Sequence, residues 1–106
     1  MGIDDTLAEE IIRRVLQVLP ARKIILFGSA ATGTMTKDSD IDLLVLTNGP
    51  CNRRELGLDI EESLTGLGHC FDIMVLTAEW FENSKKYIGG LAYPAHRYGR
   101  VLYEAA

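Results

Sequence analysis

Three short apolar runs constrain this chain more than anything else in it: Lys23–Phe27 (KIILF), Ile41–Leu46 (IDLLVL) and Phe71–Leu76 (FDIMVL). Each is too short for an amphipathic helix, rich in β-branched or aromatic residues, and ended by a turn former or a cap. The first two, apolar along nearly their whole length, read as strands covered on both faces. Gly28 ends the first and Asn48-Gly49-Pro50 ends the second.

Helical segments alternate with these runs. Ile3, Leu7, Ile11, Val15 and Val18 recur at spacings of three and four over residues 3–19, which predicts a helix with one apolar face, stopped by Pro20. Asp4 and Asp5 suit its positive N-terminal end. Leu56, Ile60, Leu64 and Leu67 predict a second helix over residues 52–67, ended by Gly66 and Gly68. Thr77 is placed to cap a short helix carrying Trp80 and Phe81. A short helix is expected around Leu91 to Arg97, with Arg100–Tyr103 as a turn or edge strand. The expected fold is α/β (α+β): a small mixed sheet of three or four strands with helices packed on it, residues 1–106 forming one domain.

The chain has 106 residues and a formal net charge of −4. Its basic doublets, Arg53-Arg54 and Lys85-Lys86 among them, do not extend into a stripe, so duplex nucleic acid is not expected as a partner. Cys51 and Cys70 lack metal-site spacing and are expected as free thiols. The acidic N-terminus resembles no signal peptide and no apolar run is long enough to span a bilayer, so a cytoplasmic protein is expected.

Against this background the acids stand out. Asp40 and Asp42 sit at the mouth of the second run, two residues apart, so strand alternation projects both from one face while Ile41 and Leu43 point into the core. Adjacent carboxylates repel unless a cation lies between them, and Mg²⁺ binds through few carboxylates plus water and phosphate. Asp72 interrupts the third run between Phe71 and Ile73, a costly place for an unpartnered charge. If that strand lies beside the second, three carboxylates can serve two cations in phosphoryl or nucleotidyl transfer. Gly28-Ser29 provides the complementary half, a turn where backbone approaches a phosphate and the Ser29 hydroxyl donates to it.

Other phosphate and metal motifs do not fit. Gly28 and Gly33 have Walker-A spacing, but Thr34 and Met35 replace the Lys and the hydroxyl residue. Asp38, Asp40 and Asp42 imitate an EF-hand loop, yet Leu43 stands where it needs Gly and Gly49 where it needs Glu.

Gly28-Ser29, ten residues, then Asp40-Ile41-Asp42 resembles the GS-x10-D-x-D signature of the DNA polymerase beta-like nucleotidyltransferase superfamily. Small size, Asp72 and the tail from Pro94 to Glu104 resemble its minimal nucleotidyltransferase (MNT) members. The resemblance implies transfer of AMP from ATP with two Mg²⁺ ions: Gly28 and Ser29 holding the triphosphate, Asp40 and Asp42 binding both metals, and Asp72 completing the site and helping to deprotonate the acceptor. Many members read Gly-Ser-x-Ala-Arg-Gly; this chain has Thr32 before Gly33. The resemblance further implies an antitoxin that modifies a tyrosine of a HEPN (higher eukaryotes and prokaryotes nucleotide-binding) toxin, with homo- or hetero-oligomers open. A non-catalytic toxin-binding antitoxin is the alternative, and an antibiotic nucleotidyltransferase a further one. His69 is expected at the surface or a strand edge and His96 in the tail, neither in catalysis. Trp80, Phe81, Tyr87 and Tyr93 are expected over the sheet, with contact of one of them to adenine the alternative, and Lys37 either in solvent or on a phosphate.

Overall fold

The computed structural model describes residues 3–28, 40–84 and 99–105. Helix α1 (Asp5–Val18) leads into β1 (Lys23–Phe27), β2 (Ile41–Thr47), α2 (Arg53–Ser63), β3 (Phe71–Thr77), α3 (Ala78–Ser84) and β4 (Arg100–Glu104). The sheet order is β3-β2-β1-β4, with β1 antiparallel to β2 and β4, and β2 parallel to β3. The expected mixed sheet is thus four-stranded, and the third strand lies beside the second. The expected helix at Leu91–Arg97 lies outside the described residues, as do Lys37, Tyr87, Tyr93 and His96.

Local chemistry sets the element ends. The Asp4 side chain accepts from Leu7 N at 2.8 Å and caps α1, the Asn52 side chain accepts from Glu55 N and caps α2, and Trp80 N donates to Thr77 Oγ1 at 3.1 Å at the start of α3. Helix α2 ends at Ser63, short of the expected Leu67. There the Ser63 hydroxyl donates to Ile60 O, the Arg14 guanidinium takes the carbonyls of Ser63 and Thr65, and Gly66 turns left-handed at φ +92°. Leu64 and Leu67 still pack on the core from the turn that follows. Glu10 in turn binds Arg13 and Arg14, and these two guanidinium groups hold its carboxyl down to about 2.

Side-chain alternation divides the apolar residues between two faces. Ile24 and Leu26 of β1, Ile41, Leu43 and Val45 of β2, and Val75 of β3 pack under Ile11 and Val15 of α1 and Ile60 of α2. On the opposite face Ile25, Leu44, Leu46 and Leu76 meet Phe81 of α3. Complete burial of each such side chain contributes about 1.5–3 kcal/mol. Phe81 therefore covers the sheet as expected, whereas Trp80 remains 47% exposed. No described helix is long and apolar enough to cross a membrane. Cys51 and Cys70 are free and exposed, and His69 is exposed as well.

Candidate functional site

The site forms where the C-terminal end of β1 meets the N-terminal ends of β2 and β3. Phe27 pairs with Asp42 across the antiparallel β1–β2 ladder, and Asp42 pairs with Asp72 across the parallel β2–β3 ladder. Ile41 N donates to Cys70 O at 2.9 Å, which ties the two strand entrances together. Identical register puts the Asp42 and Asp72 side chains on one face. That is the face of Leu44 and Leu46; Ile41 and Leu43, both fully buried, point to the other.

The two acids do not share an environment. Asp42 lies on an interior strand and is half-buried; Asp72 lies on the edge strand and is exposed. This corrects the expectation that burial makes an ionised Asp72 costly. The first half of β3 alternates partly covered and open residues, and only Val75 and Leu76 are buried. Desolvation falls on Asp42 instead. Its carboxyl is pushed above the ordinary carboxylate value first by burial, then by the negative charges of Asp72 and Asp40, and by a hydrogen bond with Asp72. Asp40, exposed and one residue before β2, thus lies near enough for its charge to act on Asp42.

Gly28 closes the other side of Asp42. Its φ is +68°, and a Cβ built on it would overlap Asp42 Oδ2 and stand 3.3 Å from Asp42 Cγ. A left-handed backbone and a carboxylate in the space of a side chain both require glycine here. Sequence reasoning assigned Gly28 to phosphate approach and missed this contact, for which no local signal exists.

Gly28, Asp40, Asp42 and Asp72 are therefore gathered at one end of three strands; Ser29, Thr32, Gly33 and Asp38 lie outside the described residues. Among the described residues no three acids, histidines or cysteines stand close enough to hold a metal ion as a cluster. What the fold does assemble is a pair, Asp42 and Asp72, whose mutual repulsion a divalent cation would relieve. The donor chemistry of two carboxylates with open solvent beside them suits Mg²⁺, which keeps waters and phosphate oxygens in its shell.

Comparison with known proteins gives the same frame. The model of the family described as nucleotidyltransferase domain matches residues 8–92. Comparison with the sequences of curated proteins gives no match. Among solved structures, the fold is similar to a chain of a toxin–antitoxin complex with AMP-PNP, at TM-score 0.65 and 22% identity over 92% of this chain and 73% of that one. A mutant toxin–antitoxin complex, MntA–HpeT, gives TM-score 0.70 at 19% identity over the same shares, 92% and 73%. A complex of tri-AMPylated Shewanella oneidensis HEPN toxin with MNT antitoxin gives TM-score 0.60 at 20% identity, covering 97% of this chain and 74% of that one.

Proposed function

Because this chain belongs to the nucleotidyltransferase domain family, we propose that it transfers AMP from ATP to a hydroxyl acceptor in a Mg²⁺-dependent reaction, and that the acceptor is a tyrosine of a HEPN-type toxin for which it serves as antitoxin. The observation that carries this reading is the Asp42–Asp72 pair, in register on neighbouring strands beside Gly28. The similar complexes with AMP-PNP and with an AMPylated HEPN toxin support the choice of nucleotide and acceptor.

In this reading Asp42 and Asp72 hold the divalent cations with Asp40 as the third carboxylate. Two Mg²⁺ ions held there would supply the positive charge that offsets the negative charge developing in the transfer. Ser29 donates its hydroxyl to a phosphate oxygen, and Gly28 keeps the space beside Asp42 free of a side chain. The acceptor oxygen forms its bond to the α-phosphorus as the bond to pyrophosphate breaks. Asp72, exposed at the sheet edge, takes the acceptor proton and passes it to solvent. Residues 1–106 act as one unit in this scheme, with the acceptor supplied by the partner chain.

Incubation with labelled ATP, Mg²⁺ and a HEPN-type toxin tests the reading. Label on a toxin tyrosine, absent with Asp42→Asn, is the expected result. Toxin neutralised without label, by wild type and Asp42→Asn alike, would leave a purely binding antitoxin.

A further inference from the structure

The two edges of the sheet are not equivalent. On β4, Arg100 faces Asp5 at 3.5 Å, Glu104 faces Lys23 at 3.3 Å, and the register against β1 shifts between Ile24 and Ile25. Alternating charges and a bulge are the devices by which an edge strand resists pairing. On β3, no charged residue follows Asp72: the strand continues Ile73-Met74-Val75-Leu76-Thr77. Among the described residues no strand pairs with its outer side.

A groove of about 570 Å³ runs along this edge, its wall formed by four consecutive strand residues, Ile73 to Leu76, and its rim by Arg53 and Arg54 at the start of α2. A second concavity continues it past Leu76 to Trp80, again with Arg53. Met74 and Trp80 are 39% and 47% exposed. The Arg53 and Arg54 side chains are exposed and make no hydrogen bond or ion pair among the described residues. Among the described residues the edge thus offers backbone groups that no strand pairs, apolar side chains and two cations without an ion-pair partner, on a chain whose net charge is −4.

We propose that the outer edge of β3 docks an acidic, extended segment of a partner polypeptide, which adds to the sheet as a fifth strand. Charge complementarity fixes its orientation along the groove. Acidic side chains meet Arg53 and Arg54 near the Leu76 end, where bidentate carboxylate pairing is available. The far end, about 13 Å away at the strand rise per residue, must be uncharged or basic because it lies beside Asp72. A hydroxyl residue at that end arrives at the Asp42–Asp72 pair. This last consequence rests on the proposed transfer reaction; the docking does not.

The test uses the full chain and a synthetic peptide with glutamates at one end, alternating valine and threonine in the middle and a tyrosine at the other end. Amide hydrogen exchange, read residue by residue at millimolar peptide, is expected to slow at outward-facing amides within Phe71–Thr77 and to stay unchanged in Arg100–Glu104. The double variant Arg53→Glu/Arg54→Glu is expected to weaken binding about tenfold and to accept the same peptide with lysines in place of glutamates. Glutamate suits a helix N-terminus, so this variant keeps α2 intact. Met74→Lys, a charge on the edge itself, is expected to weaken both peptides. Asp42→Asn is expected to bind like wild type while losing nucleotide transfer, which separates failure of docking from failure of the reaction. Unchanged exchange in β3, protection at β4 instead, or indifference to the charge reversal overturns the proposal. So does protection of β3 that rises with protein concentration alone, since the occupant is then a second copy of this chain.

Discussion

Gly28 and Asp42 occupy the same space: the position of a side chain on Gly28 is filled by the Asp42 carboxylate. The turn leaving β1 and the acid entering β2 are therefore one unit, and Phe27–Asp42 pairing holds it in register.

Gly28→Ala displaces that carboxylate and places a Cβ at φ +68°. The backbone conformation alone costs about 1–2 kcal/mol, a fall of roughly 4–8 °C in Tm for each kcal/mol in a domain of this size. Nucleotide transfer is expected to fall by a larger factor than stability predicts. Thermal melts beside transfer assays check both parts.

Asp42→Asn is expected to stabilise the protein at neutral pH without divalent cation. The folded state raises the Asp42 carboxyl above its unfolded value of 3.8, so at neutral pH the charged group opposes folding. Its penalty disappears as pH falls through the raised folded value towards the unfolded one, and below that no further change arises from this group. Urea unfolding of both proteins between neutral pH and about pH 4, within the range of ordinary carboxylates, should show the variant's advantage shrinking as pH drops. Added Mg²⁺ should raise the Tm of wild type and not that of the variant.

Asp72→Asn removes an exposed charge from an edge strand. Stability is expected to change by no more than about 0.5 kcal/mol. Transfer is expected to drop by about a hundredfold or more, the scale of a lost general base. A comparable loss of stability would mean that Asp72 serves the fold.

Arg14→Met leaves the carbonyls of Ser63 and Thr65 without the donor that crosses from α1. The expected cost is about 1.5–3 kcal/mol, the range for hydrogen bonds to a charged group. Hydrogen exchange should show the last turn of α2 opening before the sheet does.

The strands, the Thr77 cap and the signature were legible because each depends on neighbouring residues. Thr77 caps α3 as expected, and the three apolar runs became β1, β2 and β3 with their ends moved by at most one residue. Asp4, expected at its helix end only for its charge, and Asn52, given no such role, also cap helices through donors three residues away. The end of α2 was legible only in part: Gly66 marks it locally, but Arg14, 49 residues from Ser63, takes the last carbonyls from another helix. Nor could the sequence distinguish its acids. Asp42 and Asp72 stand second in similar apolar runs, and an ionised Asp72 between Phe71 and Ile73 reads as a costly charge. Strand order alone made one interior and the other edge. Desolvation grows with what packs around a group rather than with its neighbours in sequence, so only the tertiary structure decided that Asp42 carries the raised carboxyl, that Asp72 faces solvent, and that among the described residues no strand pairs with the outer side of β3.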